Sequence, residues 1–298
     1  MCGIAGIINF SHSESGLKTK VESMISVLYH RGPDFGAASV SSDGSYALGH
    51  RRLSILDLTD SSNQPILSSC NRYELVYNGE IYNFKELIKE FDVGTKIKSD
   101  TKLLVELISK IGFEESLRVL NGMFAFALVD RVKGKLYLAR DRLGKKPLYY
   151  GKVGGDFVFS SELKAIKTLP EFRPNISKKA VNLYFKYLNV PAPYSIFENI
   201  WKLKPGSFLE ISLTQEDAAR TKRYWDLCAI AKSSVKLEKA DWKPRLDDLL
   251  TNSVQSRMIS DVPLGAFLSG GIDSSLIVSK MHLITPQAQP TLRAYTYE

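Results

Sequence analysis

Met1-Cys2-Gly3-Ile4-Ala5-Gly6-Ile7-Ile8 opens the chain, and its reading decides the fold. The residues after Cys2 are apolar or small and do not alternate cleanly with polar ones. A short continuous apolar run reads as a strand buried on both faces. It lacks the basic start and long apolar core of a secretory leader. Cys2 therefore stands at the head of a buried strand. Removal of Met1 by an aminopeptidase would put a thiol and a free α-amino group on one residue. The amine has a reference pKa of about 7.7–8.0 and the thiol of about 8.5. Such an amine is partly neutral at cellular pH and can take the thiol proton, directly or through a water. Nucleophile and base then share one residue, which suits a chain with only four histidines. Taken alone, Cys2 reads at least as well as a small buried hydrophobe.

Outward from this strand, Leu17, Val21, Met24, Ile25 and Leu28 recur at helical spacing between Leu17 and Tyr29. His30-Arg31-Gly32-Pro33-Asp34 reads as a turn. Strands are expected near 46–57 and 73–77, and a helix from Asp100 to Ile111. Met123–Asp130 and Lys135–Ala139 form an expected hairpin across Arg131–Gly134. Further strands are expected near 147–151 and 156–160, with short helices after 161 and after 177. Antiparallel strands with flanking helices predict an α+β fold of two sheets between helices. From about residue 213 the character changes, and Thr214 to Lys239 reads as a polar connector. A helix over Asp241–Ile259, a strand over Val262–Leu268, a helix over Ile272–Met281 and a strand over Leu292–Tyr297 follow. That order is the start of a parallel α/β sheet.

A length of 298 residues suits two domains, and 44% hydrophobic with 24% charged residues reads as a soluble globular protein. No apolar run approaches the roughly 18 residues of a membrane span, so a cytoplasmic location is expected. Cys2, Cys70 and Cys228 are widely spaced, which argues against a disulfide framework and against a zinc site. The net charge of +8 is scattered, with no basic block interleaved with aromatics, so no nucleic-acid partner is expected.

Three segments accompany Cys2: Arg52-Leu53-Ser54-Ile55, Asn78-Gly79-Glu80-Ile81-Tyr82-Asn83, and Ser99-Asp100-Thr101. Each has a plain structural reading. Arg52 beside Arg51 reads as a solvated face, with Leu53 and Ile55 as strand core. Asn78-Gly79 is a common hairpin turn, and Asp100 at a helix start is a capping acid. Glu162 and Lys164 read as the beginning of a helix.

With Cys2-Gly3-Ile4 and His30-Arg31-Gly32-Pro33-Asp34, these segments in this order resemble the N-terminal-nucleophile (class II) glutamine amidotransferase domain. Gly122-Met123-Phe124-Ala125-Phe126-Ala127, Arg140-Asp141-Arg142-Leu143-Gly144, Pro147-Leu148-Tyr149-Tyr150 and Ser161-Glu162-Leu163-Lys164-Ala165 look like the glutamine-hydrolysing asparagine synthetase branch. The resemblance spans about 2–212 and implies an αββα sandwich with Cys2 as nucleophile. It further implies that Asn78 and the Gly79 N–H hold the oxyanion, where losing one such donor costs roughly 2.7–4 kcal/mol. Arg52 would take the glutamine α-carboxylate in a two-pronged contact, and Asp100 with Gly79–Glu80 would take the α-ammonium. Leu53, Ser54 and Ile55 complete the implied glutamine-binding set, and Met123 with its apolar neighbours suits the wall of an ammonia path.

Phe267-Leu268-Ser269-Gly270-Gly271-Ile272-Asp273-Ser274-Ser275 joins a strand to a helix. Two glycines let backbone N–H groups wrap an anion at a helix start. The loop is neither a Walker A nor a Rossmann pattern. A plain glycine turn capped by Asp273 and Ser274 is its structural reading. It resembles the pyrophosphate loop of the N-type ATP pyrophosphatases. That resemblance implies ATP contacts by Leu268, Ser269, Gly270, Gly271, Asp273, Ser274 and Tyr297, with Asp273 associated with Mg2+. No redox cofactor is expected.

The domains are therefore read as 2–212 (glutamine amidotransferase), 213–239 (connector) and 240–298 (an incomplete ATP pyrophosphatase domain). Family members continue well past such a loop, so exposed apolar surface near the last strand is expected, and full synthetase activity is not expected of these residues alone. The implied reaction is glutamine hydrolysis with ammonia delivered to an adenylated aspartate. Alternatives are another carboxylate acceptor such as a sugar acid, or a fragment that keeps only glutaminase activity or binds a partner. Expected partners are glutamine, ATP and the acceptor, with a homodimer as the expected assembly and no membrane partner.

Overall fold

A computed structural model describes residues 1–10, 16–94, 97–215, 219–233, 238, 241–285 and 293–296. The strands are β1 (Gly3–Ile8), β2 (Phe35–Val40), β3 (Tyr46–Arg52), β4 (Ile66–Leu67), β5 (Tyr73–Ile81), β6 (Gly122–Asp130), β7 (Lys135–Arg140), β8 (Tyr149–Val153), β9 (Asp156–Ser160), β10 (Ile200–Lys202), β11 (Ser207–Ser212), β12 (Arg220–Arg223), β13 (Gly265–Phe267) and β14 (Arg293–Tyr295). The helices are α1 (Leu17–Ser26), α2 (Phe84–Glu90), α3 (Asp100–Ile111), α4 (Phe113–Val119), α5 (Leu163–Ile166), α6 (Lys178–Tyr187), α7 (Leu227–Lys232), α8 (Trp242–Ser256) and α9 (Ile272–Ile284). They fall into two compact units. The first comprises 1–54 and 59–226, and the second 55–58 and 227–298.

In the first unit, two antiparallel sheets run β10-β8-β9-β1-β3-β2 and β12-β11-β7-β6-β5-β4. Strand β1 is central in the first sheet, which explains its unbroken apolar run. Ile4 and Ile8 enter the core shared by the two sheets, with Val76, Ala127 and Leu138 from the other side. Ala5 and Ile7 point the opposite way, into a second core with Val21, Met24 and Ile25 of α1 and Ile166 of α5. Gly6 must be glycine because an added Cβ would lie 2.4 Å from the Phe159 ring. Helix α3 covers the outer face of the second sheet and buries Leu103, Leu104, Leu107 and Ile108. The layers are thus helix, sheet, sheet, helix, as the resemblance implies.

Several expectations are corrected. The strand expected over 46–57 ends at Arg52, and Leu53 and Ile55 are half-buried rather than strand core. The strand expected over 73–77 continues to Ile81, which places Asn78 and Gly79 inside β5 and removes the hairpin-turn reading. Asp100 is the first helical residue, but the capping oxygen is that of Ser99, which accepts from the Lys102 N–H. The stretch 213–239 is not a plain connector. It carries β12, whose Arg-Thr-Lys-Arg sequence is exposed and has no apolar signal; backbone pairing to β11 makes it a strand.

In the second unit, β13 and β14 pair in parallel, and α8 packs against α9. The apolar face expected on α8 is mostly open: Leu246 and Leu249 are exposed and Val254 is buried. Phe267, Ile272, Leu283 and Tyr295 are also exposed. No helix among the described residues is long and apolar enough to cross a membrane.

Candidate active site

Pairing of β1 with β3 brings the head of β1 against the chain that leaves β3 at Arg52. The Leu53 N–H points at Cys2 Sγ (3.4 Å), and the thiol reaches back to the Leu53 carbonyl (3.7 Å). Arg31 fixes the other side of Cys2. Its Nε donates to the Cys2 carbonyl (2.9 Å) while Nη1 donates to Glu162 Oε1 (2.8 Å), which also meets His30 Nε2 (2.9 Å). The His-Arg-Gly-Pro turn and Glu162 thus act together as a clamp on the nucleophile's backbone. The sequence hinted at this only through their presence in the matched segments.

Burial pushes the Cys2 thiol up, and the Leu53 contact and the neighbouring α-amine pull it back. The chain begins at Met1, and the amine in the structure is Met1's. Burial lowers its pKa, with Arg31 and Lys146 adding to that and Cys2 opposing it.

Arg52 is 5% exposed, so the solvated-face reading fails. Its Nη1 donates to the Thr59 carbonyl and to Asn63 Oδ1, both at 2.8 Å, which fixes the guanidinium in place. The Ser54 N–H donates to Asp34 Oδ2 (2.8 Å). Ile55 belongs to the second unit, where its carbonyl accepts from the Asp261 N–H (3.0 Å).

Strand β5 supplies the rest. Asn78 is 1% exposed, and its Nδ2 has no hydrogen-bond partner among the described residues. A buried donor left without a partner costs about 1–3 kcal/mol, so one that persists invites a ligand. Opposite Gly79, Phe124 sends its N–H to Asp141 Oδ2 (3.2 Å) and receives the Asp141 N–H on its carbonyl (2.8 Å). The Gly79 amide therefore faces the opposite edge of β5. Along that edge the Tyr77 N–H meets Gln64 Oε1 (2.6 Å) and the Ile81 N–H meets Asp100 Oδ2 (3.1 Å), with Gly79 between them. Gly79 is glycine because an added Cβ would lie 2.3 Å from the Met123 carbonyl. Close approach of β6 sets that requirement, rather than approach to a ligand.

Asp100 is buried, and burial raises its pKa; the Tyr77 hydroxyl, at 2.7 Å from Oδ2, and the Ile81 N–H pull it down. Asp100 also acts on the Cys2 thiol, as do the α-amine and Lys146. The Leu53 N–H meets the Cys2 sulfur and the Asp100 charge acts on the thiol; Asn78, Gly79 and Glu80 lie on β5, whose Ile81 N–H meets Asp100, and Arg52 ends β3 just before Leu53. Tyr77, Arg31 and Lys146 were not among the residues picked from sequence.

In the second unit, β13 passes through the Ser-Gly-Gly loop into α9. The Leu268 N–H donates to the Tyr295 carbonyl (2.8 Å), extending the β13–β14 pairing. The loop is closed by hydroxyls. The Ser269 N–H donates to Ser274 Oγ (3.2 Å), the Ser269 and Ser274 hydroxyls meet at 3.0 Å, and both Ser274 and Ser275 donate to the Gly271 carbonyl. Gly270 has φ +75° with open space where a Cβ would stand, so backbone conformation demands the glycine. Asp273 lies in the first turn of α9. Among the described residues no three His, Cys, Asp or Glu side chains cluster as a metal site. One carboxylate plus phosphate oxygens is nonetheless how magnesium is commonly held, so Asp273 fits an ion that arrives with a nucleotide. Tyr297 lies outside the described residues.

Comparison with known proteins matches residues 1–225 to the glutamine amidotransferase domain family and residues 245–298 to the asparagine synthase family. The chain is 38% identical to a putative glutamine-hydrolyzing asparagine synthetase 2 of Methanocaldococcus jannaschii, over 96% of this chain and 58% of that protein. It is 34% identical to the glutamine-hydrolyzing asparagine synthetase 3 of Bacillus subtilis, over 94% of this chain and 45% of that protein. The chain spans about half the length of the curated relatives it matches. Among solved structures, the glutamine phosphoribosylpyrophosphate amidotransferase of B. subtilis superposes with a TM-score of 0.55 at 21% identity, covering 75% of this chain and 49% of that one. At that identity the likeness speaks for the fold.

Proposed function

This chain belongs to the glutamine amidotransferase domain family, and from that premise we propose that it hydrolyses glutamine at Cys2 and serves the synthesis of asparagine. The observation that carries the reading is Asn78 Nδ2 on β5, a buried donor without a partner among the described residues. The freed α-amine of Cys2 takes the thiol proton, and the sulfur attacks the side-chain amide carbon of glutamine. Negative charge gathers on the amide oxygen, where Asn78 Nδ2 and the Gly79 N–H supply donors that need not move. The protonated amine returns its proton to the departing nitrogen, ammonia leaves, and water cleaves the thioester to glutamate. Arg52 takes the α-carboxylate and Asp100 the α-ammonium, so free glutamine is chosen over glutamine within a peptide. Removal of Met1 is part of this proposal, because the base is otherwise absent from Cys2.

The Ser-Gly-Gly loop supports the second step. Its N–H groups suit the pyrophosphate of ATP, with Asp273 holding a magnesium counter-ion that enters with the nucleotide. Ammonia would then meet an adenylated aspartate, and assembly as a homodimer belongs to the same proposal. The site is tested with a glutamine analogue carrying an electrophile at the side-chain carbonyl. Mass spectrometry should find it on the Cys2 peptide and not on Cys70 or Cys228, which are exposed and in no disulfide. Labelling spread over all three cysteines would contradict the assignment.

A further inference from the structure

Lys146 is 3% exposed, and its ammonium makes no ion pair among the described residues. Its backbone is fixed on both sides, with the N–H donating to Asp141 Oδ2 (3.0 Å) and the carbonyl accepting from Arg140 Nε (2.7 Å). The side chain leaves this loop for the N-terminus, where Nζ meets one partner, Met1 Sδ, at 3.0 Å. A thioether sulfur is a weak acceptor. An ammonium taken out of water against such a partner carries a penalty that the Asp141 carboxylate on the loop offsets only in part. The partner it has, moreover, is the residue that the glutaminase reading removes.

We propose that Lys146 is a positioning residue for Cys2: once Met1 has left, its ammonium stands beside the new N-terminus and stabilises the ionised sulfur. The proposal rests on the reading of Cys2 as nucleophile. It answers a difficulty that reading leaves, since the thiolate forms in a buried place next to the Asp100 carboxylate. The charged and titratable groups that bear on the thiol are Asp100, Tyr77, the α-amine and Lys146, and of these Asp100 opposes ionisation while the amine and Lys146 favour it. Around the ammonium itself, Glu80, Asp141 and Cys2 favour its charge, and burial and Arg31 oppose it. Before processing, the Met1 side chain covers the ammonium, so removing Met1 both creates the base and uncovers the cation.

The test is the pH dependence of Cys2 alkylation by iodoacetamide in the Met1-processed chain, read on the Cys2 peptide. Lys146→Gln should move the midpoint up by about one pH unit, so that alkylation at pH 7 slows roughly ten-fold. Lys146→Arg should restore the unmutated midpoint. Lys146→Met, an uncharged chain of similar length, supplies the same reading if the amide disturbs the fold. A midpoint unchanged in folded Lys146→Gln or Lys146→Met would overturn the proposal. Alkylation needs no glutamine, so a chain that shows the shift yet releases no glutamate would sink the glutaminase reading and leave this one standing.

Discussion

The Tyr77 hydroxyl donates to Asp100 Oδ2 at 2.7 Å, inside a site where both residues are buried. Burial raises the Asp100 pKa, and this donor is the first of the groups that pull it back. Tyr77→Phe removes the donor and lets the pKa climb further. If Asp100 must be ionised to hold the glutamine ammonium, the acid limb of kcat/KM moves to higher pH. A hydrogen bond to a charged group is worth about 1.5–3 kcal/mol, so kcat/KM should fall roughly 10- to 100-fold, mostly through KM. An acid limb that stays in place would remove Asp100 from the recognition of glutamine.

Asn78→Ala deletes a donor that no group among the described residues uses. The expected loss is about 10²–10³ in kcat for glutamine hydrolysis, with the denaturant midpoint scarcely changed. A large fall in stability with an unaltered kcat would make Asn78 a core residue instead.

Gly79→Ala should behave in the opposite way. Its Cβ would lie 2.3 Å from the Met123 carbonyl and 2.8 Å from Phe124, both on the neighbouring strand. Backbone cannot yield as a side-chain tip can, so β5 and β6 must part. Urea melts should show a loss of stability that exceeds that of Asn78→Ala.

His50 carries an acid-stability prediction. It is fully buried, with Nε2 against the Tyr77 carbonyl at 3.1 Å and no partner for Nδ1 among the described residues. Burial lowers its pKa from 6.5 to about 3, and the Arg52 charge adds to this. The folded-state pKa lies below the unfolded one, so the unfolded chain binds the proton first. Stability is therefore lost as pH falls from 6.5 toward 3, at a slope of about 1.4 kcal/mol per pH unit for one proton. His50→Gln should flatten that slope in urea melts taken across the range. An equal slope in both proteins would assign acid unfolding to other groups.

The sequence made the central strand, the α3 helix and the β6–β7 hairpin legible, because each carries a strong apolar pattern. It did not reveal β12, whose residues are charged and exposed, nor the full length of β5, where Asn78-Gly79 reads locally as a turn. Tertiary pairing decides both. Cys2, Arg52, Asn78, Gly79 and Asp100 were picked out because short segments in a fixed order resemble one family. Tyr77, Arg31 and Lys146 were not, because their value lies in what they touch: a carboxylate, a carbonyl and the first residue.

The measurement that bears most directly on the central claim is glutamate release from glutamine by the Met1-processed chain. It is made beside Cys2→Ala and beside a chain that retains Met1. Release by the processed chain alone is the expected result, with both comparison proteins silent. Equal release by Cys2→Ala, or none from the processed chain, would contradict Cys2 as the residue that takes ammonia from glutamine.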